Sequence, residues 1–107
     1  MQLNLFDMGG HEMIYISGGI TGITNYMWWF ANAEKKLKEI GYKEVVNPAR
    51  TCLTLPELSH DDYMTVCMAL LSLCDMIYML KGYEDSKGAM MELEYAKEHG
   101  YKVVYEE

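Results

Sequence analysis

Apolar residues along this chain follow two alternating rhythms: short unbroken runs, and longer stretches at helical spacing. Met13 to Ser17 is the first run, and it ends in a glycine-rich turn, Gly18-Gly19-Ile20-Thr21-Gly22. From about Asn25 to Ile40, Tyr26, Trp29, Phe30, Ala33, Leu37 and Ile40 recur at the spacing of one helix face, with Gly41 as the stop. Lys43 to Val46 reads as a short second strand closed by Asn47-Pro48. Residues 49–60 hold Pro56 and no period, which predicts a loop near the ligand-binding face. A second helix is expected from Asp61 or Asp62 to about Leu73, with Met64, Cys67, Met68 and Leu71 turned inward. Met76 to Leu80 is the third strand, and Lys87 to His99 the third helix, stopped by Gly100. Lys102 to Tyr105 is the last strand.

Strands alternating with helices imply crossover units and a parallel sheet. The expected fold is α/β, a single-domain three-layer sandwich of flavodoxin-like or Rossmann-like type with a parallel sheet of four or five strands. Residues 13–107 form that domain, and residues 1–12 are a tail or an added edge strand. Ligands of such sheets bind beyond the carboxyl ends of the strands. The Gly18–Gly22 turn and the segment Ser86-Lys87-Gly88-Ala89-Met90-Met91-Glu92 both fall on that edge. In the second, Ser86 is a plausible helix cap, and Gly88 and Ala89 let a ligand approach backbone N–H groups that lack partners inside the helix. Glu92 follows at roughly 9 Å along the helix axis. An anion holder and a carboxylate at that separation suit a sugar phosphate lying between them. A capped helix with a solvated glutamate is the plainer alternative.

Composition narrows the partners. With 107 residues, half of them hydrophobic, and a net charge of −7, the chain lacks the clustered cations that a nucleic-acid backbone demands. Three cysteines, Cys52, Cys67 and Cys74, form no Cys-x-x-Cys pair and suit a reducing compartment. No apolar run reaches the ~20 residues of a membrane span. A cytoplasmic protein with no metal and no cofactor is expected, since His11, His60 and His99 have no ligand spacing. Trp28-Trp29-Phe30 reads as helix-on-sheet packing, with one tryptophan open to a second copy.

Taken together, Tyr15, Gly18, the Gly22 turn, Asp75, Ser86, Gly88 and Glu92 resemble the nucleoside 2-deoxyribosyltransferase superfamily over about residues 13–105. Small bacterial and phage domains of unassigned function share this pattern. Among members of known activity, the spacing looks most like that of 2′-deoxynucleoside 5′-phosphate N-hydrolase. The resemblance implies cleavage or transfer at the N-glycosidic bond of (deoxy)nucleoside 5′-monophosphates. Glu92 would be the nucleophile that forms a glycosyl ester, and Tyr15 would orient it. Gly18, Gly19, Thr21, Gly22, Ser86, Gly88 and Ala89 would hold the substrate, with Ser86 and the Gly18–Gly22 backbone on the 5′-phosphate. The transferases carry an aspartate where Ser86 stands, so serine favours a monophosphate.

Asp75 is expected to order the start of its strand. Two departures stand out: Cys67 occupies the position of the hydrolase's acid, and Thr21 that of a basic residue. Asp62 lies more than a turn from the acid position. A non-catalytic nucleotide-binding protein is therefore the alternative function, and cleavage of a nicotinamide dinucleotide a more distant one. The resemblance also implies a homodimer. Separately, Gln2-Leu3-Asn4-Leu5-Phe6 resembles the pentapeptide by which bacterial proteins bind the replicative sliding clamp, which would make the chain an adaptor.

Overall fold

A computed structural model describes residues 12–107. Four parallel strands, β1 (Met13–Ser17), β2 (Glu44–Val46), β3 (Met76–Met79) and β4 (Lys102–Tyr105), lie in the order β2-β1-β3-β4. Helices α1 (Tyr26–Ile40), α2 (Pro48–Thr51), α3 (His60–Ser72) and α4 (Lys87–Glu98) connect them. The register sets Tyr15 beside Ile77 and Ser17 beside Met79. The central strands β1 and β3 read as unbroken apolar runs because helices cover both of their faces.

Side chains alternate across a strand, so each central strand feeds two cores. Ile14, Ile16, Met76 and Tyr78 pack with Phe30, Ala33 and Leu37 of α1. Tyr15, Ile77 and Met79 pack with Cys67 and Leu71 of α3 and Ala89, Leu93 and Ala96 of α4. The result is the expected three-layer sandwich, with a four-stranded sheet. Strand order reverses direction between β1 and β3, and a crevice opens there beyond the carboxyl ends.

Asp75 does order the third strand: its carboxylate accepts from the Met13 N–H at 2.8 Å, while its own N–H donates to the Met13 carbonyl. Other expectations need correction. Residues 49–60 are not simply a loop. Asn47 caps α2 by accepting from the Arg50 N–H at 3.1 Å, Pro48 fits the first helical position, and a 3₁₀ turn follows over Cys52–Thr54. The four-residue helix is too short to carry a hydrophobic period. α3 starts one residue earlier than expected, because Ser59 is its cap and accepts from the Asp62 N–H. Ile40 is exposed, as are Trp28 and Trp29 at 56% and 43%, so the tryptophans do not pack on the sheet. Trp29 instead donates its indole N–H to the Asn25 side chain.

Among the described residues, no helix is long and apolar enough to cross a membrane, and no group of three acidic, histidine or cysteine side chains could hold a metal ion. Gln2–Phe6, the rest of the tail up to His11, and that histidine lie outside the described residues.

Candidate active site

Tyr15 and Ser17 stand two residues apart on β1 and therefore point to the same face, toward α4. Glu92 comes to meet them from the second turn of α4. The Tyr15 hydroxyl donates to Glu92 Oε2 at 2.6 Å, and the Ser17 hydroxyl donates to Oε1 at 2.6 Å. All three side chains are buried. Burial raises the Glu92 carboxyl to about 7, although the bonds from Ser17 and Tyr15 favour its ionised form and hold the rise in check. Burial, then the Glu92 charge beside it, pushes the Tyr15 phenol well above its ordinary value. Tyr15 thus remains a donor, and Glu92 switches charge near neutrality.

Glu92 forms one wall of a cavity of about 60 Å³ that Tyr15, Gly18, Thr21, Ser86, Gly88 and Ala89 help to line. Seven of the nine site residues expected from sequence, counting Glu92, therefore share one hollow. Ser86 caps α4, accepting from the Ala89 N–H at 3.1 Å. Gly18 is required by contact: a Cβ there would sit 2.7 Å from a Leu80 methyl and 2.9 Å from Leu80 Cβ. Gly19 and Gly22 are the exceptions and do not line the cavity. At Gly19 a Cβ would meet Ser86 Cβ at 3.6 Å, so it packs the first turn against the start of α4. Gly22 has φ of 79° with open space around it, and serves the turn's left-handed conformation.

The cavity and the Glu92 clamp also use residues that the sequence did not single out for a site. Ser17 could have been found, since it shares a strand face with Tyr15. His60 and Tyr63 enter from the first turn of α3, and Pro48 from α2. The Tyr63 hydroxyl is buried and has no hydrogen-bond partner among the described residues. Cys67 lines the same cavity, and burial with the nearby Glu92 charge raises its thiol to about 12. A thiol so placed keeps its proton at neutral pH.

Outside the cavity, Glu34 of α1 is buried yet ion-paired with Arg50 and, at 2.9 Å, with Lys38. It also accepts from the Asn47 amide at 3.1 Å. Burial raises its carboxyl, and Lys38, Asn47 and Arg50 more than offset that, leaving it below the usual range. This cluster ties α2 to α1 and fixes Pro48 at the cavity wall.

Residues 12–105 match the model of a protein family described as a domain of unknown function (DUF4406). No curated protein and no solved structure matches the chain.

Proposed function

We propose that the chain, a member of the DUF4406 family, cleaves or transfers at the N-glycosidic bond of (deoxy)nucleoside 5′-monophosphates, as its resemblance to the nucleoside 2-deoxyribosyltransferase superfamily implies. The observation that carries this reading is the buried Glu92 clamped between two hydroxyl donors on the wall of a cavity. A carboxylate held on both oxygens is oriented toward one reacting carbon. It attacks the anomeric carbon, the C–N bond breaks with its electron pair leaving on the base, and water or a second base then releases the sugar. The Ser86-capped start of α4 and the Gly18 backbone, where no Cβ fits, suit the 5′-phosphate, because unpaired N–H groups at a helix start bind anions without net positive charge.

Base release from a panel of nucleoside and deoxynucleoside monophosphates tests the reading. Wild-type protein releases base, and Glu92→Gln lowers the rate on the order of 10⁴-fold or more. Release that survives the substitution refutes a glycosyl-Glu92 intermediate.

One observation favours a second reading. The Cys67 thiol keeps its proton where related hydrolases place an acid, which suits a protein that binds nucleotides without cleaving them. Monophosphates that raise the melting temperature without losing base select it. Two partners belong to the proposal as well. A second copy would cover exposed Trp28 and Trp29, a point for light scattering on wild type and Trp28→Ala. Gln2–Phe6 would bind a sliding clamp, which Leu5→Ala with Phe6→Ala should abolish in a pull-down.

A further inference from the structure

At about 60 Å³ the cavity beside Glu92 is far smaller than the roughly 300–1,000 Å³ typical of small-molecule sites. It continues into a second depression of about 430 Å³. The two share a rim made of Ile20, Thr21, His60 and Tyr63. A nucleotide with its anomeric carbon at Glu92 must therefore send one end into the larger depression. The walls decide which end. Leu53, Leu55, Pro56 and Leu58 come from the connection between α2 and α3, and Tyr26 and Tyr63 also line the depression. The one Asp, Glu, Lys or Arg lining it is Glu57, which repels a phosphate. Apolar walls with aromatic faces take up a flat ring instead.

We infer that this depression receives the leaving base and that His60, on the shared rim, supplies the proton with which the base departs. The inference rests on the N-glycosidase reading. His60 is the first residue of α3 and exposed, so its imidazole can reach a ligand in either hollow. Imidazole is the side chain suited to exchange protons near neutral pH. As a Glu92 oxygen bonds to the anomeric carbon, the C–N electron pair moves onto the base nitrogen, which takes a proton from the His60 imidazolium. Water then attacks the same carbon, returns one proton to the imidazole, and frees the Glu92 carboxylate and the sugar hydroxyl. Cys67 takes no part, which accounts for an acid position that holds a thiol.

Two substrates separate this role from a structural one. The first is 2′-deoxyadenosine 5′-monophosphate. The second is p-nitrophenyl 2-deoxyriboside 5-phosphate, whose phenolate leaves without a proton. His60→Gln should lose about 10²–10³-fold in kcat on the nucleotide and less than about tenfold on the nitrophenyl compound. Equal losses on both, or no loss on the nucleotide, overturn His60 as the donor. Leu55→Asp should raise KM for the nucleotide and leave inhibition by 2-deoxyribose 5-phosphate unchanged. An unchanged KM, or equal weakening of both ligands, overturns the placement of the base. Wild-type protein that cleaves neither substrate overturns the glycosidase reading, and this inference with it.

Discussion

The proposed mechanism asks Glu92 to be buried and, at the moment of attack, charged. Its carboxyl, raised from 4.5 to about 7, carries that conflict as a free energy. The folded-state value lies above the unfolded one, so the folded chain binds the proton more tightly. The stability this contributes is complete below about pH 4.5 and is lost as pH rises through about 7, a change of roughly 3 kcal/mol. Glu92→Gln removes the charge that burial penalises. Urea denaturation should show the variant more stable than wild type by up to about that amount at pH 8, with the gap closing toward pH 4.5. In the proposed enzyme activity runs the other way, since only the carboxylate attacks, and kcat/KM on p-nitrophenyl 2-deoxyriboside 5-phosphate, whose leaving group needs no proton, should climb as pH passes about 7. Tyr15→Phe deletes a bond that favours the ionised form, and so moves this limb to higher pH. At pH 6 the variant should be slower by about tenfold, from a charge-assisted bond of ~1.5 kcal/mol, and the deficit should shrink at pH 8.5.

At the level of elements, α4 positions the site from its own first turn. Ser86→Ala should cost ~1 kcal/mol in thermal or urea unfolding through loss of the cap. In the proposed enzyme it should also raise KM for monophosphates more than for unphosphorylated nucleosides. This helix was plain in the sequence because its cap, its period and its glycine stop agree, and the central strands were plain because an unbroken apolar run so short has few other uses. What the sequence concealed follows a physical pattern as well. α2 spans Pro48–Thr51 and is held by the Glu34–Arg50–Asn47 cluster, whose members lie on different elements, so no local period announces it. Trp28 and Trp29 fall near the apolar stripe of α1 but land beyond the reach of the sheet, where their hydrophobicity decides nothing about packing. His60 was legible only as a residue without metal-ligand spacing. Its place on a rim between two hollows arises from the way the α2–α3 connection folds back.

Across the whole molecule, the connection between the halves is open to solvent: Leu53, Thr54, Leu55, Pro56 and Glu57 are all exposed. Everything before it supplies β1 and β2, and everything after it supplies β3 and β4. Yet β1 is not at the margin of its own half. It lies between β2 and β3, and the bonds that join Tyr15 and Ser17 to Glu92 close loops of 77 and 75 residues. Each half taken alone ends in a bare strand whose natural neighbour belongs to the other half. A single protease cut at Leu55 would therefore yield two pieces that are unfolded apart and that rebuild the sheet when mixed, with the charge-switching carboxylate restored only in the reunited pair. The chain is in this sense a natural split pair, in which the Tyr15 and Ser17 bonds to Glu92 form only when its two halves have met.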